Sequence, residues 1–520
     1  MRRTDSNLVK KNNPVIRADY PDPDVIRVGD VYYMVSTTMY FFPGGVILRS
    51  YDLVHWEIVT YLFDRLDDTP GERLEKEMVD YAGGMWAPCL RYHKGRFYVI
   101  FASHTDGGRT YLFSSFHIEG PWERRVYDTY YHDCSLLFDE DDRVYLTYGN
   151  SDIHLLELSP DLSGPKKGGL SRLIISDHKA EGLGYEGSHI YKRNGYYYVF
   201  LIHWPKGSIR TQACFRSDSL TGTFEGRDIL QDDRGFFEQG VAQGGMVDTP
   251  AGDWYSVLFQ DNGAVGRIPV LIPLHFEDGW PIYGNLGRIP ENFPVPVPEK
   301  AHTYETLYTS DTFPCVQREN GEFVLKPQWQ WNHQMDPKLW KLLSEGGLSI
   351  RTDRISINVT HAKNCLTQRM LYPRCGAEVT VDGSGLNDGD VAGICGLQSC
   401  YGYLGITKSA GEYFLIKVVR TPEKLKHSPR TGDCMPGELI EKIRLSKPVV
   451  RVCLKTDFEN LKDEMDFFYE ENGKLLKVGT SHRLFYRLDH FTGYRFGLFI
   501  FSTRETGGEA VFTDFSYLTE

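Results

Sequence analysis

One layout occurs five times in the first 280 residues, and it limits the fold more than any other feature of the chain. In Tyr185-Glu186-Gly187-Ser188-His189-Ile190-Tyr191 a polar residue heads a strand; a turn at Arg193-Asn194-Gly195 follows, and then the aromatic strand Tyr196-Tyr197-Tyr198. The same order runs from Asp22 to Tyr32-Tyr33, from Trp86 to Phe97-Tyr98, from Asp133 to Val144-Tyr145 and from Gln243 to Trp254-Tyr255. A head every ~45–65 residues, with short alternating strands and Gly, Asp or Asn turns between heads, is the signature of propeller blades. Five blades are expected.

The innermost strand of each blade lines a propeller's axis, so equivalent heads converge on one mouth. In this register the heads are Asp22, Trp86, Asp133, Glu186 and Gln243. Carboxylates gathered at one place raise one another's pKa, which lets one stay protonated while a neighbour remains ionised. Asp24, two residues on, is a rival carboxylate to Asp22, and Glu181, which also precedes a Gly, to Glu186. The run Asp139-Glu140-Asp141-Asp142 reads as solvated turn residues.

Pro290 to Glu299 is Pro-dense and reads as a stiff extended linker at 291–300, after a propeller domain at 1–290. Residues 301–520 lose the repeat but keep short strands, such as Tyr413 to Val418 and Phe496 to Phe501, which suggests a β-sandwich. The fold class is therefore all-β. The net charge of -12 argues against nucleic acid, and no apolar run is long enough to span a membrane. Ten cysteines without C-x-x-C or metal-finger spacing fit a reduced, cytoplasmic protein, although a chain trimmed of its signal would look the same. There is no H-E-x-x-H, no G-x-S-x-G and no phosphate-cradling Gly loop before a helix.

Several motifs together resemble glycoside hydrolase family 43: Tyr20-Pro21-Asp22-Pro23-Asp24, Met85-Trp86-Ala87-Pro88, Asp133-Cys134-Ser135, Glu186-Gly187-Ser188-His189, and Gln243-Gly244-Gly245 with Gly266-Arg267. Trp329 to His333, Leu366 to Arg369 and Phe491 to Phe499 resemble the concanavalin-like jelly-roll sandwich of its two-domain β-xylosidases and α-L-arabinofuranosidases. The resemblance implies an inverting, exo-acting hydrolase that releases β-D-xylose or α-L-arabinofuranose from hemicellulose-derived oligosaccharides. Asp22 would be the general base, Glu186 the general acid, and Asp133 the residue that orients Glu186 and raises its pKa. Inversion needs two carboxyls about 6.5–9.5 Å apart.

Arg267 resembles the family's substrate-contacting arginine. Trp86 and Phe42 fit walls of a sugar subsite, with core packing as the alternative for each, and Gln243, the fifth head, is a further substrate-binding candidate. Relatives commonly carry a His just before Gln-Gly-Gly that helps to hold a central cation; Ala242 stands there, so a structural calcium is doubtful and Gln243 or water is the expected occupant. No cofactor is required, no metal ligand is assigned, and family analogy suggests a homo-oligomer. Two other readings stay open: a non-catalytic carbohydrate-binding protein, and a retaining fructosidase-like hydrolase, whose carboxyls would lie about 5–5.5 Å apart.

Overall fold

The computed structural model describes residues 9–75, 78–105, 107–177, 181–298, 301–425, 427–428 and 432–520. Residues 1–8 of the expected propeller and 299–300 of the expected linker lie outside the described residues. The described chain is all-β, with helix confined to short 3-10 turns such as Gly263–Val265.

Five four-stranded antiparallel sheets follow one another as blades I to V, and each is built from one contiguous stretch of chain. Their innermost strands are Asp24–Val28, Met85–His93, Ser135–Phe138, Gly182–Arg193 and Ala242–Asp248. Because no strand is shared between blades, side chains and close backbone approach close the ring between V and I. The Gly245 N–H donates to the Pro23 carbonyl at 3.0 Å, and Arg27 pairs with Asp248 at 2.6 Å. A Cβ on Gly245 would come within 2.3 Å of an Asp24 carboxylate oxygen, so the Gly-Gly pair is what lets blade V meet blade I.

The expected linker is more than a spacer. Asn292–Val295 pairs antiparallel with Val9–Asn12, and Phe293 and Val295 are buried against blade I. Alternation along this strand turns a Pro-rich stretch into a clamp that joins the two ends of the propeller.

Two eight-stranded sheets form the sandwich, packed around a core that includes Ile350, Val379, Leu404, Phe467, Leu498 and Phe512. One sheet does not stop at the sandwich: its last strand is Phe41–Phe42 of blade I, paired with Gln330–Asn332. The Arg495 guanidinium lies 3.5 Å over the Phe41 ring, and Arg369 Nε donates to the Asp19 carbonyl at 2.8 Å. The stretches around Trp331, Arg369 and Phe491 thus meet at the propeller, so the sandwich is positioned to furnish part of any site at the mouth.

Candidate active site

In every blade the chain kinks into the left-handed region at the head of the inner strand: at Asp22 (φ 52), Ala87 (φ 37), Asp133 (φ 44), Gly187 (φ 66) and Gln243 (φ 61). All five of these residues line a narrow hollow on the propeller axis. Trp86 and Glu186 are therefore not in register with Asp22, Asp133 and Gln243, as the sequence pattern suggested, but one residue earlier. The pairing shows why. Trp86 opposes Ala102, Glu186 opposes Ile202 and Ala242 opposes Phe259, each just before an irregularity in the ladder. A bulge of this kind re-aims the side chain next to it. Two rings result: Asp22, Asp133 and Gln243 face the axis, while Trp86, His132 and Glu186 stand at the rim. Gly187 is small because a Cβ there would meet the Gln243 side chain at 2.8 Å.

Asp22 is 6% exposed and fully engaged. It accepts from Thr37 Oγ1 at 2.8 Å and from Arg267 Nη1 at 3.0 and 3.2 Å. Burial works against the charge of Arg267, but Asp22, together with Tyr486, Asp19 and Asp261, outweighs it and raises its pKa. Arg267 is placed in turn by Asp19, whose Oδ1 accepts the Arg267 N–H at 2.8 Å and whose Oδ2 accepts the N–H of Gly493 at 3.0 Å. One buried carboxylate therefore fixes both the arginine and the sandwich loop that covers it. The Phe491 ring lies 4.5 Å from the guanidinium, and its carbonyl accepts from Arg267 Nη2 at 3.4 Å.

Asp24, the rival base, is fully buried: Arg91 Nη1 lies 2.6 Å from its Oδ2, Leu90 N–H donates to that oxygen at 2.7 Å, and His189 Nδ1 lies 3.2 Å from its Oδ1. Burial alone would raise its pKa, but Arg91 and His189 reverse this and hold the carboxyl well below the usual range. Asp24 ties blades I, II and IV together and has no face toward the mouth. Glu181 pairs with Lys206 at the surface. Asp139, expected in a solvated turn, is 4% exposed and bonds Lys192 and Tyr197, each at 2.6 Å.

On the opposite side, Glu186 Oε2 receives Asn150 Nδ2 at 2.5 Å and lies 3.2 Å from His132 Nε2. His132 Nε2 is also 3.6 Å from Asp133 Oδ2, and its Nδ1 is 3.0 Å from the Tyr130 hydroxyl. Burial lowers the pKa of His132, but Asp133 and Glu186 overcome this and bring it to about 9. Asp133 accepts the Gly187 N–H at 3.1 Å. Burial is the main cause that raises its carboxyl to about 7; His132 opposes the rise, and Glu186 and Asp22 add to it.

An arc of rings connects the two carboxylate groups. Phe491 lies 5.3 Å from Trp86, Trp86 4.5 Å from His104, and His104 5.4 Å from Tyr130. Trp86 Nε1 donates to the Ala82 carbonyl at 3.1 Å, and the ring forms one wall of a cleft of about 420 Å³ lined also by Thr69, Met78, Asp80 and Thr105. Phe42 takes no part in this wall. It is 2% exposed and packs edge-on against Phe63 in the core between blades I and II, because its strand is held at the sandwich edge.

His132, Asn150, Asp19, His104 and Tyr130 were absent from the sequence reading. His132 alone carried a signal, since it occupies in blade III the position of Glu186 in blade IV. Among the described residues, His132, Asp133 and Glu186 are the group of side chains suited to a metal ion. Among the described residues no disulfide joins the cysteines. Among the described residues no helix is long and apolar enough to cross a membrane.

Paired carboxylates on separate blades, one held by an arginine and the other by a histidine and an amide, form an arrangement suited to acid–base chemistry on a sugar. Comparison with known proteins agrees. Residues 11–281 match the family model of Glycosyl hydrolases family 43, and residues 321–518 match the Beta xylosidase C-terminal Concanavalin A-like domain. A putative beta-xylosidase of Xylanibacter ruminicola is 30% identical over 363 residues, 67% of this chain and 65% of that protein. The non-reducing end alpha-L-arabinofuranosidase BoGH43B of Bacteroides ovatus is 29% identical over 369 residues, 67% of this chain and 66% of that protein. The solved structure of a bifunctional GH43-CE protein of Bacteroides eggerthii is 40% identical with a TM-score of 0.88, covering 99% of this chain and 64% of that one. The chain thus spans just under two thirds of the length of these relatives. With the propeller, the sandwich and the motifs all in place, the chain belongs to glycosyl hydrolases family 43.

Proposed function

We propose that this protein is an inverting, exo-acting hydrolase that releases terminal β-D-xylose or α-L-arabinofuranose from hemicellulose-derived oligosaccharides. The observation that carries the reading is the Arg267-clamped Asp22 of blade I and the His132- and Asn150-held Glu186 of blade IV, placed around one mouth. Asp22 takes a proton from water as that water attacks the anomeric carbon. Glu186 gives its proton to the glycosidic oxygen as the C–O bond breaks, and the sugar leaves with inverted configuration. Asp133 orients Glu186 through the Gly187 N–H and through His132. Trp86 and Phe491 offer aromatic faces to the sugar ring, and Gln243 closes the bottom. The relatives named as a beta-xylosidase and an alpha-L-arabinofuranosidase support this substrate class.

Side-by-side hydrolysis of aryl β-D-xylopyranoside and aryl α-L-arabinofuranoside, with proton NMR of the first sugar released, tests the proposal. Activity on either substrate, an inverted anomer and loss of that activity in Glu186→Ala are expected. A retained anomer, or no hydrolysis of both substrates, would overturn the reading.

A further inference from the structure

We propose that His132, Asp133 and Glu186 form a binding site for a borderline divalent cation, zinc above all, and that the cation stops turnover by occupying Glu186. Each residue offers one ligand atom, and the three atoms lie within 4.8 Å of one another. His132 Nε2 stands 3.2 Å from Glu186 Oε2 and 3.6 Å from Asp133 Oδ2. A tetrahedral zinc with bonds of about 2.0–2.2 Å has ligand-to-ligand edges of roughly 3.3–3.6 Å, so two edges of such a site already exist.

The surroundings suit a metal as well. Tyr130 engages His132 Nδ1 at 3.0 Å and leaves Nε2 toward the carboxylates, as an outer-shell partner of a metal-bound histidine does. Asn150 and the Gly187 N–H fix the two carboxylates. The side chains of His132 and Glu186 are 19% and 17% exposed, so a cation and a water can reach them from the pocket. One imidazole and two carboxylates favour zinc, copper or nickel over calcium and magnesium, which prefer six or more oxygen ligands.

Binding rests on this geometry alone, whereas the loss of turnover rests on Glu186 being the acid. The test is calorimetric titration of the full chain, stripped with EDTA, with zinc chloride, run beside aryl pentoside hydrolysis. Cobalt(II) serves as a spectroscopic probe of coordination. One equivalent of zinc should bind, cobalt should give the intense visible bands of a low-coordinate nitrogen–oxygen site, and hydrolysis should fall at the concentrations that fill the site. Calcium and magnesium should leave the rate unchanged. Loss of even an outer-shell partner weakens metal sites by about 10–100-fold, so His132→Ala and Glu186→Gln should each weaken zinc by at least that much. The two substitutions lie on different blades, so either decides if the other fails to fold. No zinc binding, or binding that survives both substitutions, would overturn the site. Zinc that binds there but leaves hydrolysis untouched would overturn the inhibition and count against Glu186 as the acid.

Discussion

His132 and Glu186 stand on neighbouring blades, 54 residues apart in sequence, with His132 Nε2 3.2 Å from Glu186 Oε2. Both occupy the residue just before the left-handed kink of their inner strands, so the contact follows from the blade repeat itself. With its other nitrogen held by Tyr130, His132 acts as a brace for the proposed acid. His132→Ala should therefore lower kcat on xylo-oligosaccharides by about 10–100-fold, part of the 10²–10⁴-fold worth of general acid catalysis. The loss should be smaller on aryl glycosides, whose leaving oxygen needs less help. Comparing kcat on the two substrate types checks this, and an equal loss on both would point to general damage.

Asp22 gives a second test, because its Arg267 partner is itself covered by Phe491. Asp22→Asn keeps the shape but removes the base, and kcat should fall about 10²–10⁴-fold with little change in KM. Arg267→Lys keeps a charge but loses the contact with the Phe491 carbonyl and the stacked ring, since a lysine cannot reproduce a planar guanidinium. It should reduce kcat/KM less than Asp22→Asn does. Steady-state kinetics of the two variants checks the order, and the reverse order would place the arginine ahead of the base.

The five blades were legible because alternating strands, regular turns and aromatic pairs repeat along the chain itself. The register of the heads was legible only in part. Whether a head residue faces the axis or the rim depends on a bulge in strand pairing, and Trp86 and Glu186 differ from Asp22 by that one step. Phe42 was misplaced because an aromatic residue reads alike in a core and in a sugar-binding wall. Apart from His132, whose place in the blade repeat matches that of Glu186, the braces of the site were not legible. Asn150 reaches Glu186 across 36 residues and Asp19 reaches Arg267 across 248, and these contacts exist only once the ring is closed.

The sandwich contributes to the mouth through Phe491, which stacks on Arg267 at 4.5 Å and approaches Trp86 at 5.3 Å. A cation–π contact of this partly desolvated kind is worth about 0.5–2 kcal/mol, so Phe491→Ala should lower kcat/KM by roughly 2–30-fold. Thermal unfolding should change little, because the Gly493 N–H still reaches Asp19. Kinetics and a melting curve on the same preparation check both halves. Wild-type kinetics in this variant would remove the sandwich from the site.

Glu72 links pH to stability away from the chemistry. It lies 1% exposed in the connection from blade I to blade II, accepts the N–H groups of Asp67 and Thr69, and its own carbonyl accepts the Gln334 N–H of the sandwich at 2.8 Å. Burial is the main cause that raises its carboxyl from the usual 4.5 to about 7; Asp67 and Asp80 add to the rise, and the two N–H groups oppose it. The folded chain therefore keeps a proton that the unfolded chain releases above about pH 4.5. This contribution to stability is fully present below that pH and is lost as pH rises through about 7, at most about 3 kcal/mol in all. Glu72→Gln cannot titrate. The melting temperature of the wild type relative to this variant should thus be higher near pH 5 than near pH 8, as read by calorimetry at both. A difference that stays flat across that range would show that Glu72 titrates alike in the folded and unfolded chain.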